Sequence, residues 1–241
     1  MLTALLLTSF AAHATEVVPV GWRFVGVFAL VGDDGVVLVD THDPGGAARV
    51  LERLERRGVD ADRITAVLLT HGHQDHAGSA AELTTALGVP LIAGEGDRDM
   101  LAAGQCEPVP TGARGRVISR TLTYTFPPTD IDVPVTDTLS LEPWGVAGEA
   151  RVVGGHTAGS LVITLDDGEV LVGDLVRGHL LRRRAPTLHF FQDDAAVAHA
   201  ALAELLAAQE VTVVWPSHGG PMRPARVSRW VERRISADQR R

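Results

Sequence analysis

Apolar and polar positions along residues 22–40 form two β-rich runs separated by Gly32-Asp33-Asp34-Gly35, a pattern that predicts a hairpin turning at those four residues. The period then changes. After Asp43-Pro44-Gly45-Gly46, the apolar residues Ala47, Val50, Leu51 and Leu54 fall on one helical face, with Glu52, Glu55 and Arg56 outside it, and the helix ends near Gly58. Residues 64–70 are a short apolar run rich in β-branched side chains, which fits a buried strand. The pattern repeats as a helix over 77–87, a strand over 89–93 and a short helix over 98–103. Residues 114–141 carry Pro127, Pro128 and Pro134 among short β-like pieces, which predicts irregular edge structure. Strands follow over 150–153, 160–165 and 169–172, then a helix over 194–208, a strand over 211–215 and a helical tail from Pro224 with Val227, Trp230 and Val231 as its apolar stripe. Two halves of similar order suggest two packed sheets with helices outside them.

Length and composition narrow the partners. A chain of 241 residues, 45% of them hydrophobic, buries a substantial core within the size range of one domain, taken here as residues 15–241. Its formal charge of -8 argues against a nucleic-acid partner, because phosphate binding normally leaves a basic surface, and favours a small-molecule substrate. All 22 basic residues are Arg, so chemistry that needs a Lys, such as a Schiff base, is excluded. Cys106 is the one cysteine, which excludes an internal disulfide and a thiolate-rich zinc site; any metal must take nitrogen and oxygen donors. Residues 1–14 run apolar through Leu5, Leu6, Leu7 and Phe10 to Ala12-His13-Ala14, the form of a secretory leader. Read so, they imply a periplasmic or secreted protein; read as a misassigned start or a buried segment, a cytoplasmic one. No later stretch has the length and unbroken apolarity of a membrane span.

The chemistry concentrates in Thr70-His71-Gly72-His73-Gln74-Asp75-His76-Ala77-Gly78, which places three histidines and an aspartate at the end of a predicted buried strand. In an extended segment His71 and His73 point to the same side, so both imidazoles can converge on one ion, while Asp75 and His76 can turn toward a second. Three further segments put a small or flexible residue beside a possible donor at a strand end: Gly154-Gly155-His156-Thr157, Val172-Gly173-Asp174-Leu175 and Pro216-Ser217-His218-Gly219. Each alone is weak, and their value lies in the series. His42 and His199 read as surface residues, and Trp22 and Phe24 either line the mouth of a site or pack.

This series resembles the metallo-β-lactamase superfamily, whose pattern is HxHxDH followed in order by a His, an Asp and a His, over residues 22–222. The resemblance implies an α/β (α+β) fold, an αββα sandwich with the site at one sheet edge. It implies one ion held by His71, His73 and His156, a second held by Asp75, His76 and His218, and Asp174 bridging both, with strand-end Asp40 supporting the metal loop. A donor set of imidazole and carboxylate suits two Zn2+ and also Fe or Mn. Two ions a few Å apart can hold a bridging hydroxide that attacks a carbonyl, with Asp75 or Asp174 passing the proton onward. Asp174, where the commonest zinc β-lactamases have Cys, is similar to glyoxalase II and lactonase-like members, so an ester, lactone, thioester or amide of a small molecule is the expected substrate.

Two other readings stay open: a mononuclear-iron persulfide dioxygenase, which in this superfamily uses the equivalents of His71, His156 and Asp174 only, and a non-catalytic metal-binding member of the fold. The loop over residues 176–192 is read as a lid whose Arg177, His179, His189 and Phe190 contact the substrate, or as a solvated basic connection with Phe190 and Phe191 in the core.

Overall fold

The computed structural model describes residues 14–239, so the leader expected in residues 1–14 lies, apart from Ala14, outside the described residues. The elements run β1 (Glu16–Pro19), β2 (Phe28–Val31), β3 (Val36–Val39), α1 (Ala47–Arg56), β4 (Ile64–Leu68), α2 (Gln74–Ala77), α3 (Ala80–Leu87), β5 (Leu91–Gly94), α4 (Arg98–Ala103), α5 (Gly112–Ile118) and β6 (Val133–Val135). The second half runs β7 (Thr138–Ser140), β8 (Gly148–Val152), β9 (Leu161–Leu165), β10 (Glu169–Gly173), β11 (Arg177–Gly178), β12 (Pro186–Thr187), α6 (Ala195–Ala208), β13 (Val213–Pro216) and α7 (Pro224–Asp238). Among the described residues no helix is long and apolar enough to cross a membrane.

The strands form a six-stranded sheet ordered β1-β2-β3-β4-β5-β6 and a five-stranded sheet ordered β13-β10-β9-β8-β7, with β11-β12 a separate small ribbon. Both large sheets are mixed. In the first, β1, β2 and β3 are antiparallel and β3 to β6 run parallel; in the second, β13 is parallel to β10 and the remaining pairs are antiparallel.

Side-chain alternation explains the layers. In β3, Val37 and Val39 face the other sheet while Val36 and Leu38 face the helices. In β10, Leu171 points between the sheets and Val170 and Val172 point outward. The inner layer packs Leu30, Leu68 and Ile92 of the first sheet against Leu161, Ile163 and Leu171 of the second. Outside the first sheet, Val50 and Leu54 of α1, Leu83 of α3 and Leu101 of α4 cover Val36, Leu38, Val67 and Leu91. Outside the second, Leu202 and Leu205 of α6 and Val227, Trp230 and Val231 of α7 cover Val162, Val170 and Val214. The result is the expected αββα sandwich. Local rules fix the helix ends: the Asp194 carboxylate caps α6 by accepting from the amides of Ala196 and Val197, and α3 stops at Gly88 with φ +66°.

Several elements depart from the sequence reading. Residues 114–141, expected to be irregular, contain most of α5 and both edge strands β6 and β7, while β1 was not anticipated. The helix expected over 77–87 begins only at Ala80 as α3, separated from the short α2 by Gly78-Ser79, where a Cβ on Gly78 would stand 2.4 Å from the carbonyl oxygen of Gln74 and the nitrogen of Pro44. His42 and His199, read as surface residues, are buried at 1% and 2% exposure. His42 stacks on Trp22 with ring centroids 3.6 Å apart, and His199 packs edge-on against Trp230.

Candidate metal centre

The candidate donors lie on loops that leave strands of both sheets at one end of the sandwich. His71 and His73 follow β4, and Asp75 and His76 lie in α2 directly after them; the loop between β8 and β9 carries His156, Asp174 follows β10 and His218 follows β13. The structure brings all seven together. Nε2 of His156 stands 3.1 Å from Nε2 of His71 and 2.9 Å from Nδ1 of His73, while Nε2 of His218 stands 3.3 Å from Asp75 and 3.1 Å from Asp174. One oxygen of Asp174, Oδ2, lies 3.5 Å from His76, 3.7 Å from His156 and 3.9 Å from His71, between the two sets.

The rings of His156, His218 and His76 are held on the side turned away from the cluster. Nδ1 of His156 donates to the Phe191 carbonyl at 3.0 Å and Nδ1 of His218 to the Phe24 carbonyl at 2.9 Å. Nδ1 of His76 donates to Oδ2 of Asp40 at 2.9 Å. Asp40, fully buried and with φ +61°, also accepts from the amide and hydroxyl of Thr70 and the hydroxyl of Ser217, which links the β3, β4 and β13 ends. Carbonyl and carboxylate acceptors require a proton on Nδ1, so Nε2 of these rings points at the cluster by construction.

Asp97 does the corresponding work on the other side, and the sequence reading missed it. Its buried carboxylate accepts from the amide of Gly72 at 2.7 Å, the hydroxyl of Thr157 at 2.8 Å and the amide of Gly159 at 2.8 Å, so it ties the His71–His73 turn to the His156 loop. Burial raises its pKa, and these hydrogen bonds oppose the rise.

Electrostatics divides the cluster into two halves. Burial, with neighbouring histidines adding to it, holds His71 well below its ordinary pKa, and burial takes His73 to about 4 and His156 to about 3, so these rings are neutral lone-pair donors at pH 7. In the other half burial is outweighed. The carboxylates of Asp75, Asp40 and Asp174 raise His76 well above its usual range, and Asp174 and Asp75 raise His218 to about 10. Asp75 and Asp174, against the effect of their own burial, are held well below the carboxylate range by the facing histidines.

These residues fit divalent cations. Lone pairs of neutral imidazoles pointed at one another within about 3 Å repel unless something positive lies between them, and Nε2 of His76 and Oδ1 of Asp174 are buried without a hydrogen bond. Groups of donor atoms close enough to share an ion are His71-His73-His156, His71-His76-Asp174, Asp75-His76-His218 and His156-Asp174-His189. The donor chemistry, nitrogen and oxygen only, does not select among zinc, iron and manganese.

A cavity of about 480 Å³ opens onto the cluster. His73, Asp75, Asp174, His189 and His218 form its polar end, and Phe24, Ile118, Leu122, Tyr124 and Phe190 form apolar wall. Cys106 also lines it, with its thiol pushed up to about 11 by burial, so it is not a nucleophile.

The loop residues separate into three kinds. Arg177 and Phe190 line the cavity as expected, the guanidinium standing 3.8 Å over the ring of Phe190. His179 does not reach it: its Nδ1 accepts from the amides of Leu181 and Arg182, which makes it a turn residue because a local backbone donor satisfies it. Arg182, Arg183 and Arg184 are exposed, and Arg183 lies over Phe24. His189, expected as a substrate contact, is 5% exposed and stands inside the cluster, Nε2 3.1 Å from Oδ2 of Asp174. Gln192, also unanticipated, donates to the carbonyl of Asp174 at 2.9 Å.

The family model described as the metallo-beta-lactamase superfamily matches residues 20–218, and the chain belongs to that superfamily. It is similar to an uncharacterized protein of Mycobacterium leprae, 31% identical over 195 residues that span 78% of this chain and 82% of the relative. It is also similar to a probable metallo-hydrolase of Bacillus subtilis, 27% identical over 208 residues, 77% of this chain and 76% of that one. Among solved structures, a metallo-beta-lactamase of Cronobacter sakazakii superposes with a TM-score of 0.67 over 93% of this chain and 90% of its own, at 23% identity, a likeness of fold.

Proposed function

We propose that this protein is a metal-dependent hydrolase that cleaves an ester, lactone, thioester or amide of a small molecule, with two zinc ions at the centre. The observation that carries the reading is the convergence of His71, His73, Asp75, His76, His156, Asp174 and His218 from both sheets, with buried donor atoms left unsatisfied, at the floor of a cavity sized for a small molecule. His71, His73 and His156 would hold one ion, Asp75, His76 and His218 would hold the other, and Asp174 faces both sets.

Ions bound there supply Lewis acidity and make water a nucleophile near neutral pH. The chain does the rest. Asp40 and the carbonyls of Phe24 and Phe191 orient the rings, and Ile118, Leu122, Tyr124 and Phe190 exclude water from the body of the substrate. Asp75, the more open of the two carboxylates and a wall of the cavity, is placed to pass onward the proton that the reaction releases. Arg177 is 7% exposed, its Nε has no partner, and among the described residues no carboxylate pairs with it; a substrate anion fills that role.

Elemental analysis of protein purified without added metal, followed by zinc reconstitution and a panel of esters, thioesters, lactones and β-lactams, tests the reading. About two zinc ions per chain with hydrolysis is the expected result. One iron per chain with consumption of oxygen on a persulfide, or no metal after reconstitution, overturns it.

A further inference from the structure

Five imidazoles, not four, surround Oδ2 of Asp174. Besides His71, His76, His156 and His218, the ring of His189 stands closest of all together with His218, each with Nε2 at 3.1 Å. The HxHxDH-His-Asp-His pattern leaves His189 out, and it comes from the loop between β12 and α6, not from a strand end.

The chain has built this position. His189 is buried at 5% exposure, and its Nδ1 faces the backbone of Phe191, 3.1 Å from the carbonyl oxygen and 3.3 Å from the amide nitrogen. The carbonyl of His189 accepts from the hydroxyl of Thr111, and the Phe190 carbonyl accepts from the Thr111 amide at 2.7 Å, which pins the loop to the segment leading into α5. The Phe191 carbonyl that faces Nδ1 of His189 is the same one that accepts from Nδ1 of His156. One peptide group therefore sets both rings, and their centroids lie 4.9 Å apart at 85°. Both Nε2 atoms are then within reach of one ion together with Asp174.

We infer that His189 is an eighth protein donor to the metal centre, binding the ion held by His71, His73 and His156 alongside Asp174. The inference rests on the two-ion reading of the site and adds to it a donor from the loop that also walls the cavity. The loop carrying Arg177, His189 and Phe190 would then be tied to the metal through His189. Hydrogen-bonding Asp174 without touching the ion is the competing role, and the two can be separated by chemistry. A glutamine amide can donate to Asp174 but is a poor ligand for zinc or cobalt.

The test uses full-length protein loaded with Co2+ as a spectroscopic stand-in for zinc, comparing wild type with His189→Ala and His189→Gln. Circular dichroism and thermal unfolding of the metal-free proteins establish that each variant folds. Chelator competition and the visible Co2+ spectrum are then read for the tighter ion. The expected result is that both variants lose about tenfold or more in affinity and share an altered, more intense visible band, since loss of a donor lowers the coordination number. Wild-type affinity and spectrum in His189→Gln overturn the inference and leave His189 as a hydrogen-bond partner of Asp174. If wild type itself binds no cobalt, the two-ion reading fails as well, an outcome distinct from a wild type that binds two ions with His189→Ala indistinguishable from it.

Discussion

Asp40 and His76 are joined by a 2.9 Å hydrogen bond between a carboxylate and an imidazole that are both completely buried, and the far nitrogen of that imidazole has no hydrogen bond of its own. The pair is oriented for a ligand on the other side of the ring, and it is reached through a backbone conformation, φ +61° at Asp40, that few side chains tolerate.

Replacing Asp40 by Asn is the conservative probe of that pair, because Asn accepts a left-handed backbone. The Asp40→Asn variant should fold, keep tight binding of one ion and bind the second about 10–100-fold more weakly in chelator competition. Unchanged affinity for both ions would remove Asp40 from the account of the site.

Asp174 touches both halves, so Asp174→Ala should reduce metal content from two ions to one or none by elemental analysis and slow hydrolysis by orders of magnitude, with the circular dichroism spectrum retained. Two ions and full activity in that variant would sink the proposed ligand set.

The two halves should respond differently to pH. His73 and His156, with pKa values near 4 and 3, are already neutral between pH 5 and 8, so an ion entering that triad displaces no proton from them. His218, raised to about 10, and His76, raised well above its usual range, carry protons throughout that interval that an ion must displace. Affinity for the second ion should therefore rise with pH, by about tenfold per unit for each proton displaced, while affinity for the first stays nearly flat. Calorimetry in buffers of different ionisation enthalpy reads the protons released, and equal, pH-independent affinities would contradict the assignment.

Arg177→Met keeps much of the side-chain volume and removes the buried cation. For an anionic substrate KM should rise roughly tenfold or more, the loss of one charge-assisted hydrogen bond, with a smaller change for a neutral analogue of the same shape. Equal effects on the two substrates would assign Arg177 to packing against Phe190.

A Cβ at Gly94 would stand 2.0 Å from the carbonyl oxygen of Gly159, backbone against backbone, so Gly94→Ala must push apart the β5 end and the His156 loop. Destabilisation by about 1–3 kcal/mol in denaturant titration is expected, with weaker metal binding because Gly159 is one of the partners of Asp97.

The parts of this protein legible in its sequence are those written in consecutive residues. The segment from His71 to His76 crowds four donors behind an apolar strand, and the apolar runs over 36–39 and 169–172 mark buried strands, although only the fold shows which of their side chains enters which layer. Features made by distant segments meeting were not legible. Asp97 is an ordinary acid in a glycine-rich turn until the fold carries Gly72 and Thr157 to it, 25 and 60 residues away. Nothing local distinguishes His189, which stands in the donor cluster, from His179, which stands in a turn, because the difference is which one faces Asp174. Helix α5 begins at a glycine and contains another, a poor helical sequence; a Cβ on Gly115 would lie 2.4 Å from the carbonyl oxygen of Phe190, so close packing there requires glycine. His42 is buried because Trp22 covers it, a pairing that separation in sequence conceals.

The donors are shared between the two sheets, with the first four supplied by the amino-terminal half and the others arriving only with the loop after β8 and the ends of β10 and β13. A nascent chain thus lacks part of the donor set until β13 has been made and His218 can join the others. On the two-ion proposal, metal loading would then be a late event: a chain misfolded in its second half keeps the histidine cluster of residues 71–76 but does not bring His156, Asp174 and His218 to it.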